Sequence, residues 1–253
     1  MNHILILGGT TEASALARLL ADAGMRATLS YAGRTQHPRA QPVPVRIGGF
    51  GGVDGLIRFI RDAGVTHLVD ATHPFAAQMS ANAVAAAKQA DIAHIALTRP
   101  AWAAQRGDRW THVADMDQAI AAIDGPARRV FLALGRMHAT AFAVHPQHHY
   151  LLRFVDAPDV PPPLPRHSLV VDCGPFSVAG DRALMEEHRI DLIICKNAGG
   201  VGAQAKLIAA RELGLPVLMI NRPALPERRE VHKPEAVLDW ILHDATSAIE
   251  RGV

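Results

Sequence analysis

His3-Ile4-Leu5-Ile6-Leu7-Gly8-Gly9-Thr10-Thr11-Glu12-Ala13 is the stretch whose reading decides the fold. An apolar run of strand length meets two glycines, and a helical pattern follows with Ala13, Leu16, Ala17, Leu19 and Leu20 on one side. A parallel strand buried on both faces reads as such a continuous run rather than as an alternation. Glycines at a strand-to-helix turn let backbone approach a ligand, and the free N–H groups of the helix start attract an anion. Thr10 and Thr11 add hydroxyl donors, so a nucleotide phosphate is expected at Gly8, Gly9, Thr10, Thr11 and Glu12. The dinucleotide fingerprint is G-x-G-x-x-G/A. Here Thr10 stands in place of the second glycine, and Ala13 suits the last position. A tight turn without a ligand is the alternative.

Outward from this turn the same unit recurs. Residues 25–31, 43–47, 66–70 and 92–97 read as strands, and residues 55–63 and 76–90 as helices. Strands alternating with helices at this rhythm predict a parallel sheet with helices on both faces, whose ligands lie beyond the carboxyl ends of the strands. Thr10, Arg34, Thr72, His73 and Arg99 fall at such ends. In NAD-binding folds an acidic residue near the end of the second strand holds the ribose hydroxyl. The chain instead reads Ala32-Gly33-Arg34-Thr35. Gly33 and Arg34 therefore suit a 2′-phosphate, which favours NADPH over NADH, while a solvated loop arginine is the competing reading.

The second half echoes the first. Val130-Phe131-Leu132-Ala133-Leu134-Gly135 repeats the opening run, and 222 minus 99 and 196 minus 73 give one offset, 123, carrying Arg99 onto Arg222 and His73 onto Lys196. The fold class expected is α/β: two similar Rossmann-like lobes of parallel sheet flanked by helices, with an active-site cleft between them. We expect an NADPH-binding lobe over residues 1–100, a connection over 101–128 and a substrate lobe over 129–253. Trp102 and Trp110 read as packing at the joint, the proline-rich residues 158–165 as a loop, and residues 234–249 as a last helix packed through Val237, Leu238, Ile241 and Leu242.

Composition sets limits. The 253 residues carry 26 Lys and Arg against 24 Asp and Glu, a formal charge of +2 that does not suggest a nucleic-acid partner. No apolar run approaches the roughly 18 residues of a membrane span, and no leader pattern precedes the first strand, so a cytoplasmic protein is expected. Cys173 and Cys195 sit among apolar residues and read as buried free thiols. His145, His148 and His149 lack partners at ligand spacing and read as a wet loop; no metal is expected.

Other strand ends carry chemistry. Arg136 follows Gly135, and Lys196, Asn197, Gly199, Gly200 and Arg222 close later strands. Exposed backbone N–H groups and a lysine suit a carboxylate or phosphate. His73, fixed before Pro74, can polarise a substrate or donate a proton, or simply tie down its loop. A G-x-x-x-x-G-K-[ST] loop, an HExxH pair and a GxSxG elbow are absent, as is the Tyr-x-x-x-Lys pair of short-chain dehydrogenases.

The chain resembles the precorrin-6A reductases of cobalamin biosynthesis. The resemblance rests on Leu7 to Ala13, on Asp70-Ala71-Thr72-His73-Pro74-Phe75-Ala76, on Cys195-Lys196-Asn197-Ala198-Gly199-Gly200 and on Leu215-Pro216-Val217-Leu218-Met219-Ile220-Asn221-Arg222-Pro223. These lie in order over nearly the full length. The resemblance implies NADPH-dependent reduction of a ring double bond, precorrin-6A giving precorrin-6B, and transient contact with neighbouring pathway enzymes. Arg99, Arg136, Lys196 and Arg222 would then bind the acetate and propionate carboxylates of a flat tetrapyrrole, and the nicotinamide would lie near Thr72 and His73. The remaining alternatives are another NADP-dependent oxidoreductase with a smaller anionic substrate, and a two-lobed anion-binding protein.

Overall fold

A computed structural model describes residues 2–32 and 40–250, with side chains to residue 243 of the last helix. Gly33 and Arg34, assigned above to the ribose end of the cofactor, lie outside the described residues. The chain runs β1 (His3–Leu7), α1 (Thr11–Asp22), β2 (Arg26–Tyr31), β3 (Val45–Ile47), α2 (Gly52–Ala63), β4 (His67–Asp70), α3 (Ala77–Ala90) and β5 (Ala93–Leu97). It continues through β6 (Arg109–Val113), α4 (Met116–Ala121), β7 (Arg129–Ala133), α5 (Arg136–Ala139), β8 (His149–Phe154), β9 (His167–Val171) and α6 (Val178–Glu187). Then come β10 (Leu192–Lys196), α7 (Ala205–Glu212), β11 (Pro216–Ile220), β12 (Glu230–Val231) and α8 (Pro234–Glu250).

Two compact units result: Met1–Arg99 with Ala224–Val253, and Pro100–Pro223. The first holds the parallel sheet β12-β5-β4-β1-β2-β3, the second the parallel sheet β6-β11-β10-β7-β8-β9. The α/β class and the parallel sheets are as expected. The domain boundaries are corrected in two places. Residues 101–128 are no mere connection, because β6 hydrogen-bonds to β11 and forms the edge of the second sheet. From Ala224 the chain returns to the first unit, where β12 pairs with β5 and α8 packs on α1 and β5.

The core explains why residues 4–7 of the opening run are all apolar. Successive strand side chains alternate between faces. Ile4 and Ile6 pack with Leu16 and Leu20 of α1 and Val237 and Ile241 of α8. Leu5 and Leu7 pack with Leu56 and Ile60 of α2 and Ala83 of α3. In the second unit Phe131, Leu151, Ile193 and Val217 carry the sheet's share of a core closed by Met185 and Leu207, and Trp102 belongs to that core.

Smaller expectations change. Cys195 is buried but Cys173, just past β9, is exposed. His148 is wholly buried, bonded to the Arg128 N–H at 3.0 Å and the Ile123 carbonyl at 2.7 Å, and His149 belongs to β8. These two are thus structural pairings rather than a wet loop. Leu242 is exposed, while Val237, Leu238 and Ile241 pack α8 on the core as expected. Among the described residues no group of three His, Cys, Asp or Glu is placed to hold a metal ion, and no helix is long and apolar enough to cross a membrane.

Candidate active site

Each sheet reverses its strand order beside its central strand, between β1 and β4 and between β7 and β10. Such a switch point opens a crevice at the carboxyl ends, where ligands bind in open α/β sheets. In the first unit this places Gly8–Glu12 beside Ala71–Phe75. Gly9 has φ +120°, a conformation open to glycine and strained for other residues, and a Cβ there would meet nothing within 4 Å. The turn is therefore both glycine-dependent and open. Thr10 is the N-cap of α1: its Oγ1 accepts the Ala13 N–H at 3.1 Å and donates to the Ala71 carbonyl at 2.8 Å. Its one hydroxyl proton is spent on the neighbouring loop, so Thr10 shapes the turn rather than adding a phosphate donor. The first-turn N–H groups of Thr11 and Glu12 have no acceptor among the described residues. They are the anion donors the sequence promised.

Glu12 adds a carboxylate to this positive end. It takes the Thr11 hydroxyl at 3.1 Å and stands 3.6 Å from the Arg99 guanidinium. Arg99, expected on the substrate's side, thus lies beside the nucleotide turn of the first unit.

The loop after β4 hangs from Asp70, which is 3% exposed. Oδ1 accepts the Thr72 N–H at 3.1 Å and the Thr72 hydroxyl at 2.6 Å; Oδ2 accepts the Ser80 hydroxyl and an Arg228 Nη1 proton, both at 2.6 Å. Four donors, a guanidinium among them, thus converge on one buried carboxyl group. Thr72 is thereby turned toward Asp70. His73, the next residue, accepts the Phe75 N–H on Nδ1 at 3.2 Å. In the neutral ring the proton then sits on Nε2, which makes that nitrogen a donor. Neither Ser80 nor Arg228 was legible as a site residue: Ser80 sits inside an alanine-rich helix, and Arg228 lies 158 residues from Asp70.

At the far side of the same edge, Arg46 of β3 points back toward β2. Its Nη1 donates to the Ser30 hydroxyl at 3.3 Å and to the Gly48 carbonyl, and its Nη2 to the Gly49 carbonyl at 2.8 Å. The guanidinium lies 3.8 Å from the Phe50 ring centroid and 5.4 Å from that of Phe59.

In the second unit the crevice is lined differently. Gly135 and Arg136 are exposed where α5 begins, and the Lys196 ammonium donates to His138 Nε2 at 2.7 Å. Lys196 closes β10 as Asp70 closes β4. Asn197 is buried, and its amide bridges the backbone of Trp102, accepting its N–H at 2.8 Å and donating to its carbonyl at 3.0 Å. Arg222 donates to the Asn197 and Ala198 carbonyls at 2.9 and 3.2 Å, and the Trp102 indole N–H to the Gly200 carbonyl at 2.9 Å. Lys206, buried and 5.0 Å over the Trp102 ring, donates to the Ala203 carbonyl, and burial pushes its ammonium pKa down. Asn197 and Arg222 therefore hold the glycine loop in shape, while Arg136 and Lys196 present charge at the strand ends.

A model of the precorrin-6x reductases (CbiJ/CobK) matches residues 3–242. The chain belongs to that family. The precorrin-6A reductase of Rhodobacter capsulatus is 56% identical over 247 residues, 97% of this chain and 98% of that protein. The cobalt-precorrin-6A reductase of Priestia megaterium is 32% identical over 240 residues, 88% of this chain and 91% of that one. A solved precorrin-6A reductase (CobK) superposes with a TM-score of 0.92 at 56% identity, over 96% of this chain and 97% of its own. A precorrin-6x reductase is an oxidoreductase, and membership implies a nicotinamide cofactor. The open turn at Gly9 and the N–H groups of Thr11 and Glu12, which have no acceptor among the described residues, fit its diphosphate.

Proposed function

We propose that this protein reduces precorrin-6A to precorrin-6B with NADPH, in the cytoplasm, as a step of cobalamin biosynthesis. The observation that carries the reading is full-length identity of 56% to a precorrin-6A reductase, combined with an anion-binding turn at the switch point of the first sheet. The cofactor supplies a hydride to one carbon of a ring double bond, and a proton completes the reduction. The chain's own residues bind and orient. Gly9, Thr11 and Glu12 hold the diphosphate by backbone N–H groups, with Gly8 tied to the Ser30 carbonyl and Thr10 fixing the turn against Ala71. Asp70 sets Thr72 and His73 at the adjoining strand end, where His73 is the candidate proton donor. Arg136 and Lys196 supply charge for the acetate and propionate carboxylates, and Asn197, Gly199, Gly200 and Arg222 shape the loop beside them. The cobalt-free substrate is favoured because the matched precorrin-6A reductases reach 56%, 48% and 41% identity, whereas a cobalt-precorrin-6A reductase stands at 32%.

The deciding experiment follows nicotinamide absorbance together with the macrocycle spectrum. Oxidation of NADPH that requires precorrin-6A, and one NADP⁺ formed per macrocycle reduced, supports the proposal. Nucleotide binding without substrate-dependent oxidation rejects it and favours a binding protein. Repeating the nucleotide titration with Arg34→Ala tests the expected role of that arginine: unchanged discrimination between NADPH and NADH removes it from the 2′-phosphate site.

A further inference from the structure

The end of β2 holds no carboxylate, and a guanidinium with spare donors stands beside it. Ser30 pairs across the parallel ladder with Leu7 of β1 on one side and Arg46 of β3 on the other, and its carbonyl accepts the Gly8 N–H at 2.8 Å. Arg46 thus stands two strand spacings, roughly 10 Å, from the strand that feeds the phosphate turn. In dinucleotide-binding sheets that location faces the adenosine ribose, where an acidic residue selects a 2′-hydroxyl and an arginine accommodates a 2′-phosphate.

A guanidinium has five N–H donors. Three of those of Arg46 are used, on Ser30, Gly48 and Gly49. Among the described residues, Nε–H and one Nη2 proton have no acceptor and no carboxylate lies within ion-pair distance of the group. The acceptors it does have are neutral, so its charge is not cancelled. The Phe50 ring, 3.8 Å from the guanidinium carbon, covers a face and holds the fork in one orientation. Charge without a counter-ion, two unspent donors and a fixed plane are what a phosphate dianion needs from an arginine.

We propose that Arg46, anchored by Ser30 and stacked on Phe50, selects NADPH over NADH by pairing with the 2′-phosphate of the cofactor. The assignment rests on the reading of Gly8–Glu12 as the diphosphate turn. It adds a specificity residue within the sheet itself, on a strand the sequence marked only as short.

The test is a titration of the full-length protein with NADPH and with NADH, for the native chain, Arg46→Gln and Arg46→Lys. Loss of the pair should weaken NADPH by about tenfold or more, equivalent to about 1.4 kcal/mol, and leave NADH within about twofold. The NADH value guards against a misfolded turn, because a collapsed Gly48–Gly49 loop would weaken both nucleotides together. Arg46→Lys keeps the charge but not the fork and should retain part of the preference. Rising salt should erode NADPH affinity in the native chain more steeply than in Arg46→Gln. Equal loss of both nucleotides, or no change in either, overturns the assignment and leaves Arg46 as a structural brace. A native chain that binds both equally also overturns it while sparing the diphosphate turn, whereas a native chain that binds neither removes both.

Discussion

At Gly199 a methyl group has nowhere to go. A Cβ built there would sit 2.1 Å from the Pro100 carbonyl oxygen and 2.6 Å from Arg222 Nη2, and the residue's φ is +70°. Gly199→Ala must therefore displace backbone as well as accept strain, and it should cost about 3 kcal/mol or more of stability. Urea unfolding measures this; a variant as stable as the native chain would show that the loop is not held as described. The two cysteines allow a second check. Burial pushes the Cys195 thiol up to about 11, while Cys173 is exposed, so a disulfide-forming reagent at neutral pH should titrate one thiol in the native protein and two in urea. A thiol whose folded pKa lies above the unfolded value of 9.0 stabilises the fold fully below pH 9, and that contribution is lost as pH rises through 11. Cys195→Ala should therefore lose less stability than the native chain between pH 8 and about pH 11, and an identical loss in both refutes this account.

Among the elements, the loop after β4 shows how a local motif depends on distant chain. Arg228 and Asp70 are nearly fully buried, with side chains 5% and 2% exposed, and one carboxylate serves Thr72, Ser80 and Arg228 together. Removing one partner of such a pair leaves a buried charge uncompensated, at about 3–5 kcal/mol. Arg228→Ala should cost that much and also lower kcat, because Asp70 orients the His73 loop. The double variant with Asp70→Asn should cost clearly less than the two single losses combined, and strict additivity would disprove the coupling. Much of this region was legible in advance. The apolar run gave β1, Thr10 before Ala13 marked a helix start, and the glycine pair marked the turn. What the sequence did not disclose was how Thr10 divides its hydroxyl between the Ala13 N–H and the Ala71 carbonyl. Nor did it disclose that Asn197 and Arg222 face backbone carbonyls and amides, because short polar motifs do not say which way a side chain turns.

Over the whole molecule, the internal echo gave two similar lobes, and both sheets do repeat one strand order. The boundaries were misread because β6 and β12 carry weak signals. Arg109-Trp110-Thr111-His112-Val113 is only partly buried, and β12 is two residues long. The returning segment is nonetheless decisive for the first unit. It brings Val237 and Ile241, both 0% exposed against Ile4, Leu16 and Leu20, and it brings Arg228 to Asp70. Two fully buried aliphatic side chains are worth about 1.5–3 kcal/mol each, and an orphaned Asp70 would cost about 3–5 kcal/mol. Together these approach the 5–15 kcal/mol that typically holds a domain. A chain ending at Pro223 should therefore lose cooperative folding of residues 2–99 but not of the second sheet, whose strands all lie between residues 109 and 220. Amide hydrogen exchange resolves this by element. Rapid exchange in β1, β4 and β5 with lasting protection in β7, β10 and β11 is the expected result. Retained protection in β1 and β4 would mean that the return of the chain does not hold the first unit together, and loss in both sheets would mean that the two units do not fold as the contacts divide them.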